Sequence, residues 1–290
     1  MHVKVNGTQL WFDVDGLAWV PDGATLRERP TVIVVHGGPG TYDHSYFKPH
    51  FTRLTAVAQV VYIDLRGHGR SARGNAAEWS FERCADDLRA FCDTVGISKP
   101  IVYGHSMGGI VAMIYGARHQ GRAAGLVLQS TMARFDLARL VRGFRRFGGD
   151  EVAELAERDY GGGCVTEAEW ARVFAAFGPR VPGAEELARR IGNLELARCG
   201  MRLLRRLDSV DQLARIKCPT LICVGALDPV TPLEAAREIF DATTAGIAQF
   251  EVIDRAGHFP WLDTPDEYWK IVDTFVTFAG ASAISANTRR

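Results

Sequence analysis

The sequence predicts an α/β fold built on a mostly parallel β-sheet. Short, almost wholly apolar runs recur along the chain, separated by turn residues and by longer helical patterns. Near-continuous apolarity is typical of strands that are covered by helices on both faces, because a half-exposed strand alternates instead. With 290 residues, 47% of them hydrophobic, the chain is long enough to bury one sizeable core and an inserted subdomain. We therefore expect helices on both faces of the sheet.

Six apolar runs are the predicted strands of the parallel part of the sheet. They lie at residues 31–35, 57–63, 101–103, 125–129, 220–224 and 248–253. Two alternating segments between residues 3 and 15 are separated by Asn6-Gly7, and this dipeptide is a strong signal for a tight hairpin. Together these segments predict eight strands, of which the first two are antiparallel and lie at one edge.

Strand patterns disappear between residues 131 and 213, where arginine-rich helical patterns take their place. We interpret 131–213 as a helical cap that is inserted into a core formed by residues 1–130 and 214–280. The small and polar residues at 281–290 are expected to form a flexible tail.

The composition excludes several classes of function. The chain has 34 basic and 34 acidic residues, so it lacks the net charge that attracts nucleic acids or anionic lipids. Its N-terminus has no signal-peptide pattern, and no stretch has the roughly 20 apolar residues of a membrane span. The six cysteines form no Cys-x-x-Cys pair, which argues against a zinc site. We expect a cytoplasmic monomer or homodimer with no nucleic-acid, membrane or metal partner.

A candidate nucleophile lies in the motif Gly-His-Ser-Met-Gly at residues 104–108. The motif follows a predicted strand directly and precedes an apolar helical pattern. A sharp turn from strand to helix lifts a serine hydroxyl off the sheet to where a base can reach it, and flanking glycines let neighbouring backbones pass closely. We therefore predict that Ser106 is the nucleophile.

A base and an acid follow two later strands. His258 lies in a loop just after the last predicted strand, and Asp228 follows the strand before it. A histidine takes the serine proton, and a carboxylate holds the imidazole in the productive tautomer. We predict these roles for His258 and Asp228. Asp254 and Asp263 are alternative acids, and His68 is an alternative base.

The motif His-Gly-Gly-Pro-Gly at residues 36–40 follows the first parallel strand. Glycine lets backbone N–H groups approach a ligand, and such donors stabilise the oxyanion of an acyl-transfer intermediate. We assign these donors to the backbone N–H groups of Gly38 and Met107. Substrate contacts are also expected from His36, Gly37, His105, Phe144, Phe147, Trp170 and Phe174.

Five motifs, taken in order, resemble those of the α/β-hydrolase superfamily over essentially the whole chain. They are the loop at 36–40, Asp-x-Arg-Gly-His-Gly-x-Ser at 64–71, the serine motif, Leu-Asp-Pro-Val-Thr-Pro at 227–232 and Gly-His-Phe at 257–259. The resemblance implies the α/β-hydrolase fold with a cap that chooses the substrate. It implies no cofactor, because serine, imidazole and backbone amides complete the chemistry.

Two motifs favour different branches of this superfamily. The loop at 36–40 is similar to that of prolyl aminopeptidases (proline iminopeptidases), whose serine motif usually reads Gly-Gly-Ser-Trp-Gly. The serine motif of this chain is instead similar to that of small carboxylesterases and lactonases. The implied function is hydrolysis of a carboxylic ester, lactone or amide of a small molecule, or of a short peptide, through an acyl-enzyme.

Three alternatives remain open from the sequence. A prolyl aminopeptidase needs a cap carboxylate for the substrate ammonium, and the available ones are Glu167, Glu169, Glu185, Glu186 and Glu195. A ligand receptor that keeps the hydrolase fold would use the pocket for binding alone. An acyltransferase or perhydrolase shares the acyl-enzyme and differs only in the acceptor.

Overall fold

A computed structural model describes the backbone of residues 1–287 and the side chains of residues 1–281. Its ten strands are β1 (His2–Val5), β2 (Thr8–Asp15), β3 (Trp19–Asp22), β4 (Thr25–Glu28), β5 (Thr31–Val35), β6 (Gln59–Asp64), β7 (Ile101–His105), β8 (Gly125–Gln129), β9 (Thr220–Gly225) and β10 (Ala248–Ile253). Eight of them form one sheet in the order β1-β2-β6-β5-β7-β8-β9-β10, and β3 pairs with β4 in a separate hairpin. The predicted eight-stranded sheet is confirmed.

The sheet begins with the predicted antiparallel edge. β1 pairs antiparallel with β2, β2 pairs antiparallel with β6, and all remaining neighbours in the sheet are parallel. Asn6 and Gly7 both have positive φ, 45° and 75°, as the two central residues of a type I′ turn require. The local sequence therefore predicts this turn, and the Asn6 side chain also donates to the Asp87 carboxylate at 3.1 Å.

The described residues form ten α-helices. They are α1 (Lys48–Phe51), α2 (Phe81–Val95), α3 (Met107–Arg118), α4 (Leu137–Gly161), α5 (Glu167–Ala175), α6 (Ala184–Ala188), α7 (Leu194–Leu204), α8 (Leu233–Ala242), α9 (Pro260–Asp263) and α10 (Pro265–Asn287). Alternate residues of β5 lie in two different cores. Ile33 and Val35 pack in the core that α2, α3 and α8 cover, whereas Val32 and Val34 pack in the core that α1 and α10 cover. Both faces of the sheet are thus buried, which explains the apolar strands.

Four helices, α4 to α7, lie between β8 and β9, over the range 131–213 for which we predicted a cap. Two backbone hydrogen bonds tie this segment to the rest of the chain. The N–H of Asn193 donates to the carbonyl of Gly40 at 2.7 Å, and the N–H of His258 donates to the carbonyl of Phe177 at 2.7 Å. The inserted helices therefore contact both loops that carry predicted site residues.

The C-terminal helix overlaps the predicted tail. The backbone of α10 is helical up to Asn287, so most of the segment 281–290 that we expected to be a flexible tail continues a helix. Residues 288–290 lie outside the described part of the chain. Among the described residues, no helix is both long and apolar enough to cross a membrane.

The junction between β7 and α3 is the most constrained turn in the sheet. Ser106 stands there with φ 54° and ψ −120°, a conformation that costs about 1–3 kcal/mol for a residue other than glycine. A Cβ at Gly104 would overlap the carbonyl of Gly108, and a Cβ at Gly108 would overlap the carbonyl of Val35. Only glycine allows these backbones to pass at this distance.

We expect Gly108→Ala to lower the free energy of unfolding by about 1–3 kcal/mol, because the added methyl meets a backbone oxygen that cannot move aside. Urea denaturation measures the change. Gly183→Ala is the matched control, since φ at Gly183 is −70° and the nearest atom to its added Cβ lies 4.0 Å away. Equal stabilities of the two variants would contradict the steric account of the turn.

Candidate active site

The strained backbone of Ser106 is held by hydrogen bonds from the neighbouring strand. Its N–H donates to the carbonyl of Gln129 at 2.9 Å, and its carbonyl accepts from the Thr131 hydroxyl at 2.7 Å. The side chain of Ser106 is half-buried and lines a cavity of about 640 Å³. The turn between β7 and α3 therefore places the Ser106 side chain at this cavity.

The structure brings His258 and Asp228 together, although 30 residues separate them. The Nδ1 atom of His258 lies 2.8 Å from Oδ2 of Asp228. The Asp228 carboxylate also accepts hydrogen bonds from the N–H groups of Val230 and Thr231, at 2.9 and 3.0 Å, and from the Thr231 hydroxyl at 2.7 Å. With its carboxylate held by four donors, Asp228 fixes Nδ1 as the protonated nitrogen and leaves Nε2 to accept a proton.

The alternative acids and base have other contacts. Asp254 is exposed, and the Asp263 carboxylate accepts from the N–H groups of Gly257 and Arg180 at 2.8 and 2.7 Å. His68 accepts from the N–H of Gly40 at 2.9 Å through Nε2. Of the three acids, Asp228 is the one that contacts the His258 ring.

Ser106 and His258 line the same cavity, but no hydrogen bond joins the Ser106 hydroxyl to the imidazole in the described part of the chain. Hydrogen bonds between catalytic groups are often long in unliganded sites and shorten when substrate binds. Gly38 and Met107 also line this cavity. Among residues 1–287, neither backbone N–H donates to a protein acceptor, so both are available to a ligand.

A chain of buried hydrogen bonds connects the three loops of the site. The Gly37 N–H donates to the Tyr46 hydroxyl at 3.2 Å, and that hydroxyl lies 2.9 Å from Nδ1 of His105. Nε2 of His105 lies 3.0 Å from the carbonyl of His258. Since a carbonyl only accepts, Nε2 carries the proton, and Nδ1 accepts from Tyr46. One neutral imidazole thus links the glycine loop, the serine elbow and the histidine loop.

Three buried histidines around the site are neutral. Burial lowers the pKa of His36 and of His105 and lowers the pKa of His68 to about 3. Nε2 of His36 accepts from the Leu65 N–H at 3.1 Å, and Nδ1 of His68 donates to the Arg66 carbonyl at 3.0 Å. The rings of His36 and His68 lie behind the backbone of the cavity, whereas His105 also lines the cavity.

The predicted substrate contacts divide into two groups. Gly37, His105 and Trp170 line the cavity. The other four predicted residues do not line it, and they are His36, Phe144, Phe147 and Phe174.

Packing explains why these four side chains do not line the cavity. His36 is fully buried behind the glycine loop, and Phe144 is fully buried against Tyr160 and Phe177. Phe174 packs on the ring of Phe177, and Phe147 lies beneath the Arg146 guanidinium. Helical spacing of aromatic residues did not distinguish those inside the cap from those facing the cavity.

Several residues of the cavity wall or its support were not predicted from the sequence. They are Tyr46, Thr231, Asp159, Arg198 and Arg202. Thr231 lies three residues after Asp228 in a Pro-rich turn, which is a local signal for a hydroxyl bonded to that carboxylate. No local signal identifies Tyr46, because its partner His105 lies 59 residues away.

The five cap glutamates proposed for ammonium recognition are dispersed. Glu167 lines the cavity, and the other four do not. Glu169 accepts from the Thr166 N–H in a capping box, and Glu186 lies 2.6 Å from the His50 ring. A half-buried carboxylate that the sequence did not suggest, Asp159, joins Glu167 in the wall.

One cluster in the described chain has the spacing of metal ligands, and it consists of Asp43, His44 and Asp64. Its atoms already have protein partners. Nδ1 of His44 lies 2.8 Å from Asp64, Nε2 of His44 lies 2.8 Å from Arg70, and Asp43 accepts from the Ile191 N–H at 2.9 Å. These contacts account for the cluster as a structural tie between loops.

Comparison with known proteins identifies the fold and the family. A sequence model of the alpha/beta hydrolase family matches residues 32–271. The AB hydrolase superfamily protein YisY of Bacillus subtilis is 30% identical over 259 residues, which are 85% of this chain and 91% of that protein. A proline iminopeptidase of Heyndrickxia coagulans is 24% identical and covers 84% of this chain and 90% of its own length. A 3-oxoadipate enol-lactonase of Acinetobacter baylyi is 26% identical, with coverages of 86% and 90%.

Solved structures agree with the architecture. The enol-lactonase of Burkholderia xenovorans superimposes with a TM-score of 0.70 at 23% identity, over 96% of this chain and all of its own. The proline iminopeptidase of Mycobacterium smegmatis gives a TM-score of 0.75 at 19% identity, over 98% and 99% of the two chains. Because both sequence identities are below 25%, these superpositions establish a shared fold and not a shared activity.

The neutral histidines predict a loss of stability in acid. The unfolded chain binds protons at these residues at a higher pH than the folded chain does, so stability falls as the pH falls. For His68, whose pKa is lowered to about 3, we expect the free energy of unfolding, measured in urea, to fall by about 1.4 kcal/mol between pH 7.5 and 5.5, and His36 and His105 contribute in the same direction.

His68→Gln tests this assignment. Removing the His68 titration should reduce the fall between pH 7.5 and 5.5 by about 1.4 kcal/mol, whatever the variant's absolute stability. An unchanged pH dependence would show that His68 is not held neutral in the folded state.

Proposed function

Because the chain belongs to the alpha/beta hydrolase family, we propose that it is a serine hydrolase that cleaves a carboxylic ester, lactone or amide of a small molecule. The observation that carries the proposal is the hydrogen bond between Asp228 and His258 next to the strained Ser106. The side chains of Ser106 and His258 line the same cavity. This combination matches the requirements of nucleophilic acyl transfer. The hydrolase relatives support the same reaction class.

The first step is attack of Ser106 on the substrate carbonyl. A rotation of the serine hydroxyl toward Nε2 of His258 lets the imidazole take the proton as the oxygen–carbon bond forms. Asp228 stabilises the resulting imidazolium through Nδ1–H. The carbonyl oxygen becomes an oxyanion, for which the free N–H groups of Gly38 and Met107 are the proposed donors.

The second half of the reaction releases the products. The imidazolium gives its proton to the leaving oxygen or nitrogen, which completes the acyl-enzyme. Water then loses a proton to the same imidazole and attacks the acyl carbon, and the serine oxygen leaves with the proton returned. The substrate, water and these residues supply every atom and proton that the reaction requires.

Ser106→Ala and Asp228→Asn test the proposed triad. We expect Ser106→Ala to abolish turnover of 4-nitrophenyl butyrate, and Asp228→Asn to lower kcat by roughly 10³–10⁴, because the asparagine side chain stabilises the wrong imidazole tautomer. Asp254→Asn is the matched control, because Asp254 is exposed and should leave kcat unchanged. Near-normal turnover by Ser106→Ala would refute the nucleophile.

Tyr46→Phe tests whether the linking hydrogen bonds position the reacting groups. Loss of the hydroxyl releases both the His105 ring and the Gly37 N–H, so we expect kcat for the same ester to fall roughly tenfold with little change in KM. Tyr115→Phe is the control, because its hydroxyl donates to the Arg122 carbonyl at 3.2 Å, away from the cavity. If kcat fell equally in both variants, the loss would reflect general destabilisation and not the positioning of reacting groups.

A further inference from the structure

The cavity has walls of two kinds. Around the serine and histidine the wall is apolar, and its residues are Met107, Ile110, Met132, Phe177, Val230 and Phe259. The rings of Phe177 and Phe259 lie 5.4 and 5.3 Å from the His258 ring, between centroids. An uncharged segment of substrate therefore fits next to the reacting groups.

A second part of the wall is charged. It consists of the end of α4, the start of α5 and one face of α7, and its charged residues are Asp159, Glu167, Arg198, Arg202 and Arg205. The three arginines are spaced by four and three residues, so they share one face of the helix. The opposite face of α7 packs on the glycine loop, where Gly200 meets the ring of Pro39. The docking of α7 thus fixes which face lines the cavity.

Two of the five charges compensate each other. Nε of Arg205 donates to the carbonyl of Tyr160 at 2.7 Å, at the C-terminal end of α4. Burial raises the pKa of the Asp159 carboxyl, and the positive charge of Arg205 opposes that rise. Arg205 is therefore committed to the C-terminal end of α4 and lies near the Asp159 carboxylate.

Arg198 and Arg202 have no such partner. Within the described residues, neither guanidinium makes a hydrogen bond, an ion pair or a contact with an aromatic ring. Glu167 is the remaining acidic residue of this wall, and it is likewise unpaired among the described residues. Two unpaired arginines against one glutamate give the charged wall an excess of positive charge.

We propose that the substrate carries a carboxylate on the part remote from the bond that is cleaved, and that Arg198 and Arg202 bind it. The proposal rests on the proposed hydrolase function and specifies its substrate class. Arginine suits this role because its planar donors match a carboxylate. The apolar wall then accommodates the segment between the carboxylate and the reacting carbonyl.

The test compares esters that differ only in charge. We would use 4-nitrophenyl monoesters of the straight-chain diacids from adipic to sebacic acid, each beside its methyl ester, in which the far carboxylate is masked. A second pair, 3-carboxyphenyl butyrate and its methyl ester, places the carboxylate in the leaving group. The measured quantity is the ratio of kcat/KM for the acid to that for the methyl ester.

We expect the wild-type protein to prefer the acid over the methyl ester in at least one pair. The double variant Arg198→Gln/Arg202→Gln should lower this ratio of kcat/KM values at least tenfold, mainly because KM for the acid rises. The preference should also weaken at high salt, since the binding is electrostatic. Arg206→Gln is the control because it removes the same charge next to α7, outside the cavity wall, and should leave the ratio unchanged.

Ratios near one in every pair, or an equal loss in Arg206→Gln, would overturn the proposal. So would a preference for the cationic substrate proline 4-nitroanilide that disappears in Asp159→Asn, since this would assign the charged wall to an ammonium group. Failure of the proposed hydrolase function would give a different result from failure of the carboxylate site. In that case the methyl esters would show no turnover that depends on Ser106.

Discussion

The close passage of β7 and α3 is the constraint on which the rest of the site depends. Glycines at 104 and 108 let the strand, the helix and the end of β5 approach to a distance at which no Cβ fits. That approach forces Ser106 into a positive φ, and the hydrogen bonds from β8 hold it there. The strain is offset by the buried sheet around it, so the serine is placed by the most rigid part of the fold.

Buried neutral histidines extend this rigidity to the surrounding loops. His105 is the last residue of β7, directly before Ser106, and its two ring nitrogens contact Tyr46 and the backbone of His258. His68 holds the N–H of Gly40 in the same manner. Each ring has one donor and one acceptor, and protonation would leave a buried charge without an acceptor. The same groups that order the site therefore make the fold sensitive to acid.

The inserted helices contribute a different kind of control. They do not supply the proposed nucleophile, base or acid, but they add the outer wall of the cavity and bond directly to the glycine loop and to the His258 backbone. The outer wall of the cavity and the loops that hold the proposed reacting groups are thus joined by shared contacts.

The sequence by itself indicated the eight strands of the main sheet, the edge hairpin and the positions of Ser106, Asp228 and His258 after strands, because each depends on apolar runs, turn residues or position after a strand. It did not indicate the separate β3–β4 hairpin. It did not determine which cap aromatics face the cavity, and it gave no sign of Tyr46 or of the unpaired arginines. Those features arise when segments far apart in the chain meet, and local patterns cannot encode which face of a helix will be covered. Only the tertiary structure decided them.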